Sequence, residues 1–218
     1  MLALVLSNLT VWPLNKLIMS KIVFSYFDVK GWGEQCRLLL TYGGEEFEDH
    51  RFTHEQWPEF KPMTPFGQAP VIEIDGKMYA QSLAISRYLG RKYRLVGDTP
   101  EDALEIDQNV DLLIDLILKA GQIYREPDAA RKESLYAEAI KNVFPDYLER
   151  LNSIFSKNNG HIALGKLTWG DFVVAGSFDA LKMVLPMPDI EKKYPAFQKV
   201  IDNVYSIPSI KAYSEAKK

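Results

Sequence analysis

Residues 21–27 (KIVFSYF) alternate apolar and polar positions, with Ile22, Phe24 and Tyr26 on one face. A period of two predicts a half-buried strand. A short loop holding Gly31 and Gly33 follows, and residues 34–42 (EQCRLLLTY) then close on Gly43-Gly44, which predicts a short helix with a glycine stop. Residues 47–52 form a plausible second strand, and strand, helix, strand in this order predicts a right-handed parallel crossover. The strongest local signal is Asp75-Gly76 between the short apolar runs 71–74 and 77–80. Both positions of such a tight turn need φ > 0, so the pair specifies a hairpin. A helix is expected from Ser82, with that serine as its N-cap, giving β-α-β-(loop)-β-β-α up to about Tyr93.

Strand signals stop at the linker 95–101 (LVGDTPE). Thr99, Pro100 and Asp102 supply an N-cap, an N1 proline and an acidic third position. Leu104, Val110, Leu113, Ile114 and Ile117 then recur at helical spacing through residues 103–124. Further helices are expected over 128–157, 168–184, 196–205 and 210–218, with Pro145 splitting or kinking the first of these. The organisation is a small α/β domain followed by an all-helical one: 20–96 and 103–218, with 1–19 as an extension of unknown role.

Composition narrows the class. The 218 residues are 47% hydrophobic and 25% charged, which suits a packed globular protein and argues against disorder. A net charge of −3 gives no general electrostatic reason to bind nucleic acid. The single cysteine, Cys36, excludes an intrachain disulfide framework and suits a reducing compartment, so a cytoplasmic location is expected. His50 and His54 are four apart, but EDHRFTHEQW has no helical periodicity, and they read as surface histidines rather than metal ligands. Residues 1–19 are apolar but interrupted by Ser7, Asn8 and Pro13, too short and broken for a membrane span. They also lack the charged start and cleavage site of a signal peptide. An ordered extension, a weak targeting segment and a start at Met19 are all open, and no catalytic role is given to the segment.

Four features carry candidate chemistry, each with a plainer reading beside it. Tyr26 ends the first strand, where its phenol can donate to an anion or can be a core aromatic. Ala69-Pro70 precedes the third strand; a cis bond there presents backbone to an extended peptide, whereas a trans proline merely opens an edge strand. Gln81-Ser82 sits at a helix start, suited to a carboxylate or to simple capping. Trp57 and Lys61 offer an indole donor and a positive charge, or are surface loop residues. Thr168–Phe172 (TWGDF) is structural: Thr168 and Asp171 form a capping box worth about 1 kcal/mol, with Leu167 and Phe172 spaced as a staple.

Together, YFDVKGWGE, WPEFK, PFGQAPVIEIDG, QSLAISRYL and LTWGDF resemble the glutathione transferases, most of all the sigma class with its glutathione-dependent prostaglandin D synthases. The resemblance runs in order from about Lys21 to the C-terminus. It implies a thioredoxin-like N-terminal domain, an all-α C-terminal domain and a homodimer. It also implies that Tyr26 stabilises the thiolate of glutathione, the co-substrate or cofactor. Gln81 and Ser82 would hold the γ-glutamyl carboxylate, Trp57 and Lys61 the glycine end, and Ala69, beside a cis Pro70, the cysteinyl backbone. Gln68 would add a polar contact, and Asp115 would reach the partner subunit's glutathione.

A second-substrate pocket is expected between the domains, with Phe27 and Trp32 beside Tyr26 and with Ile117, Leu118 and Gln122 opposite. Some relatives carry arginine at the position of Trp32, which cannot supply that charge. Asp107, Asp111 and Asp115 are spaced along one helix face, either as a solvated stripe or at a two-fold axis. Facing carboxylates attract hydrated Mg²⁺ or Ca²⁺, but Ile114 replaces one acidic position of the metal-responsive relatives, and no metal is expected. The activity expected is conjugation or reduction of hydrophobic, lipid-derived electrophiles. The alternatives are a prostaglandin D synthase-type isomerase and a non-enzymatic, crystallin-like or ligand-binding protein. No membrane partner is expected.

Overall fold

The computed structural model describes residues 21–216; the expectations for residues 1–19 lie outside the described residues. Strand β1 (Ile22–Phe27) leads through helix α1 (Glu34–Gly43) into β2 (Glu48–Phe52). Helix α2 (Trp57–Phe60) and a 3-10 turn (Lys61–Met63) precede the hairpin β3 (Val71–Ile74) and β4 (Lys77–Ala80), and α3 (Ser82–Lys92) closes the domain. The sheet order is β2-β1-β3-β4, with β1 and β2 parallel and the remaining pairs antiparallel. Asp75 and Gly76 both adopt positive φ, 50° and 82°, as a two-residue hairpin turn demands. Gly44 caps α1 in the left-handed conformation at φ 68°.

Among the described residues, seven helices complete the fold: α4 (Pro100–Tyr124), α5 (Ala129–Asn142), α6 (Phe144–Lys157), α7 (Trp169–Val184), α8 (Ile190–Lys193), α9 (Pro195–Tyr205) and α10 (Pro208–Glu215). Thr99 and Asp102 cap α4 reciprocally: the Asp102 N–H donates to Thr99 Oγ1 at 3.0 Å and the Thr99 N–H to Asp102 Oδ2 at 3.2 Å. Pro145 lies in the first turn of α6, so the expected break divides two helices. At the start of α7 the buried Asp171 carboxylate accepts from the Thr168 N–H at 2.7 Å and from the Ile162 N–H at 2.8 Å.

One continuous core joins the two halves, because α1 packs on both α3 and α7. Phe24 and Tyr26 on β1 point into it, and Leu38, Leu39 and Leu40 of α1 meet them fully buried. The opposite face of the sheet carries a second, smaller cluster of Phe52, Phe60, Val71 and Ala80, with Phe27 and Trp57 packed on it. The sequence reads the stretch before the hairpin as loop, yet Trp57 and Phe60 form a helical turn there. Too short to show periodicity, this turn is selected by the apolar face it covers. Ser25 and His50 face each other on that side at 3.1 Å, so His50 is half-buried in a strand and not a surface residue.

Candidate functional site

The site grows from the end of β1. Tyr26 is 7% exposed, and its hydroxyl oxygen accepts the backbone N–H of Trp32 at 3.1 Å. Two glycines make this closure possible. A Cβ on Gly31 would stand 2.8 Å from Tyr26 Oη, and one on Gly33 would stand 2.4 Å from Tyr26 Cδ1. Gly31 also takes φ 39°, where a side chain is disfavoured. The loop therefore lies directly on the phenol ring.

Burial raises the Tyr26 phenol above the ordinary value, while the Trp32 N–H and the Arg37 charge oppose the rise only in part. The phenol thus stays protonated at neutral pH. With Trp32 occupying a lone pair, its proton remains available to a second acceptor. Cys36, the chain's own thiol, is pushed up to about 12 by burial and is no nucleophile. It packs α1 against α3, its Sγ lying 3.7 Å from the Ser82 carbonyl and 3.6 Å from Ser86 Oγ.

Phe27 follows Tyr26 but points to the other face, as successive strand residues do. Its ring packs on Phe52 and His54 at 4.7 Å each and on Trp57 at 5.4 Å, while meeting the Tyr26 edge at 5.5 Å. Phe27 thus supports Trp57 while keeping an edge contact with Tyr26. Trp57 also stacks on Phe52, with ring centroids 5.5 Å apart and planes 12° from parallel. Ala69 packs beside this cluster, and the Ala69–Pro70 peptide bond is cis. Lys61 is exposed and its stem lies along Gly67, where a Cβ would meet Lys61 Cε at 3.3 Å.

Gln81 and Gln68 are joined side chain to side chain, Nε2 donating to Oε1 at 2.9 Å. Gln81 is the residue that precedes α3, at φ 76° and ψ 108°, and no side chain caps the helix. Ser82 is the first helical residue and not the N-cap expected from sequence. The reason is the unusual backbone at Gln81, which no local pattern announces. The outcome is an uncapped helix N-terminus beside the exposed Gln81 amide and the half-buried Ser82, a suitable place for a carboxylate.

The long helix α4 holds the remaining candidates. Ile117 is 5% exposed and packs in the core, as apolar residues at helical spacing do first. Leu118, 46% exposed, and Gln122 offer surface, and Trp32 is half-buried against the core. The acidic stripe is not an open cluster. Arg87 donates from Nε to Asp107 at 3.0 Å and from Nη2 to Asp111 at 3.2 Å, while Asp115 is exposed with no ion pair among the described residues. Among the described residues no group of three or more His, Cys, Asp or Glu side chains converges as a metal site.

Sequence reasoning missed Arg37. Its side chain is fully buried on α1 and holds Asp49 Oδ1 at 2.9 Å, the Val29 carbonyl at 2.8 Å and the Phe27 carbonyl at 3.2 Å. The available signal was one arginine beside the apolar run of EQCRLLL.

Comparison with known proteins follows the same division. Residues 22–91 match the family model for the glutathione S-transferase N-terminal domain, and residues 114–217 match that for the glutathione S-transferase C-terminal domain. The chain is 57% identical over 198 residues to glutathione S-transferase 2 of Manduca sexta, covering 91% of this chain and 97% of that protein. The structure of prostaglandin synthase D of Nilaparvata lugens superposes with a TM-score of 0.84 at 36% identity, covering 91% of this chain and 98% of that one. A monomeric glutathione S-transferase of the hookworm Necator americanus superposes with a TM-score of 0.76 at 28% identity, covering 91% and 98%.

Proposed function

The chain belongs to the glutathione S-transferase family, and from that premise we propose that the Tyr26 phenol O–H donates a hydrogen bond to the sulfur of bound glutathione, stabilising the thiolate as the working nucleophile. The observation that carries this reading is the Tyr26–Trp32 contact. The phenol is buried, protonated and already accepting one hydrogen bond, so its own hydrogen bond is free for the sulfur. A free thiol titrates near about 8.5, and a donor lowering that by two units contributes about 2.7 kcal/mol to the thiolate. The thiol proton leaves to solvent, the phenol keeps its own, and sulfur bonds to the electrophilic carbon, expelling halide from an aryl halide or opening the C=C π bond of an unsaturated aldehyde, whose carbanion then takes a proton from solvent.

Gln81, Ser82 and the uncapped start of α3 would receive the γ-glutamyl carboxylate, with Gln68 orienting Gln81. Trp57 and Lys61 would take the glycine end, and Ala69 the cysteinyl backbone. The second substrate would be a hydrophobic, lipid-derived electrophile lying beside Trp32, Leu118 and Gln122. We place the protein in the sigma class and in the cytoplasm, as a homodimer in which Asp115 reaches the partner subunit's glutathione. An apolar cavity of about 510 Å³ between the hairpin and α3, flanked by exposed Phe66, Tyr79 and Tyr88, supports such a contact between copies. Light scattering decides it: a 25-kDa particle at micromolar concentration removes the dimer.

Prostaglandin isomerisation is the second reading, favoured by the structural likeness to prostaglandin synthase D. Steady-state assays with glutathione and an aryl halide, an unsaturated aldehyde, a hydroperoxide or prostaglandin H2 separate the two. Conjugation or peroxide reduction is the expected outcome. Turnover of prostaglandin H2 alone would make isomerisation the function, and no turnover of any would defeat the reading.

A further inference from the structure

Arg37 lies behind the Tyr26 ring, away from any position open to substrate. Its guanidinium is 5.8 Å from the Tyr26 ring centroid and 5.6 Å from that of Phe24. Its two terminal nitrogens grip the carbonyls of Phe27 and Val29, the last strand residue and a residue of the loop behind it. Its Nε is held by Asp49 on β2, and Glu34 lies 3.7 Å from Nη1. Three residues after Val29, the same loop delivers the Trp32 N–H to the phenol oxygen.

The loop has other tethers, and their strengths differ. Lys30 reaches Asp179 on α7 at 2.7 Å, but both side chains are more than half exposed, so that pair is screened and weak. Arg37 is wholly buried, its charge is permanent, and its fork spans two carbonyls and a carboxylate at once, which an ammonium point charge cannot do.

We infer that Arg37 is a positioning residue for catalysis: by clamping the Phe27 and Val29 carbonyls it sets the loop register that places the Trp32 N–H on the Tyr26 oxygen. The consequence is that the phenol O–H is directed at the sulfur and not into the loop. The inference rests on the thiolate reading of Tyr26 given above.

The test is Arg37→Lys, which keeps the charge and loses the fork, with Asp49→Ala as the second variant because replacing a buried arginine can abolish folding. Near-ultraviolet circular dichroism establishes the folded fraction. Thiolate absorbance of the glutathione complex, kcat and the glutathione KM are then measured beside native enzyme and Tyr26→Phe. Arg37→Lys is expected to raise the bound thiol pKa and lower kcat by about tenfold, with less than about threefold change in KM, because a misplaced loop acts on the transition state more than on binding. Asp49→Ala is expected to move both in the same direction by less.

A purely structural role lowers the melting temperature and leaves the thiol pKa and kcat per folded molecule as in the native enzyme; that result overturns the inference. If Arg37→Lys does not fold, a native-like pKa in Asp49→Ala overturns it. A free-thiol pKa in the native complex, unchanged by Tyr26→Phe, would instead defeat the Tyr26 reading itself and Arg37's role with it. The native and Tyr26→Phe arms thus tell the two failures apart.

Discussion

The backbone N–H of Trp32 donates to the phenol oxygen of Tyr26 at 3.1 Å, six residues back along the chain. The two lie at opposite ends of one tight loop, so the loop supplies the N–H donor and the strand supplies the phenol oxygen that accepts it. Tyr26→Phe removes the phenol without changing the buried volume by more than one oxygen. The protein is expected to fold and to bind glutathione, while the bound thiol pKa rises toward the free value and conjugation falls by about 100-fold. Thiolate absorbance titrated in the complex checks this, and an unchanged pKa sinks the assignment.

Ser82 follows Gln81 as the first residue of α3 and does not cap it. Ser82→Ala is therefore expected to leave the melting temperature close to native while raising the glutathione Kd by several-fold, about 1 kcal/mol for one lost hydrogen bond. Calorimetric binding alongside thermal melts distinguishes this from a capping role. A clear drop in stability at unchanged affinity would show the hydroxyl to be structural.

On α4, Arg87 engages Asp107 and Asp111 but not Asp115. Asp115→Asn is expected to raise the glutathione KM by about fivefold, the loss of one charge-assisted contact, with the oligomeric state unchanged. Because the two neighbouring carboxylates are already paired, added Mg²⁺ is expected to change kcat little. An unaltered KM removes the partner-subunit role, and strong Mg²⁺ activation contradicts the metal expectation.

Gly33→Ala tests how closely the loop lies on the phenol. The new methyl would stand 2.4 Å from Tyr26 Cδ1 and 2.7 Å from Cγ, inside any tolerable contact. Overpacking of this kind costs about 1–3 kcal/mol, so the urea midpoint is expected to fall and conjugation with it. Native-like stability would mean that the loop is free to retreat from the ring.

Asp49 links the site to acid stability. Burial pushes its carboxyl up, but Arg37 and Arg51 together outweigh burial and hold it below the ordinary carboxylate value. A depressed folded-state pKa means stabilisation that is complete above the unfolded value, about 3.9, and is lost as pH falls through the folded one. Native protein is expected to lose stability on acidification below about pH 4 more steeply than Asp49→Asn. Denaturant midpoints followed down the acid limb check it, and parallel limbs would show that Asp49 contributes nothing.

Much of this protein is written in short stretches of sequence. Asp75-Gly76 specifies the hairpin because two adjacent residues alone must accept positive φ. Thr99-Pro100 and Asp102 start α4 because a cap needs partners only three residues apart. The alternation in KIVFSYF puts Phe24 and Tyr26 into the core for the same local reason. Tertiary structure alone decided the rest. Phe27 packs on Phe52 and Trp57 while meeting the edge of Tyr26, Ile117 is spent on the core, and Gln81 takes the positive-φ backbone that makes Ser82 the first helical residue. Arg87 closes the acidic stripe across 20 and 24 residues of chain, and Arg37 binds Asp49 on the neighbouring element. Backbone turns and caps are settled between neighbours in sequence, whereas a buried charge is placed by carbonyls and carboxylates that only the packed sheet and helices bring within 3 Å of it.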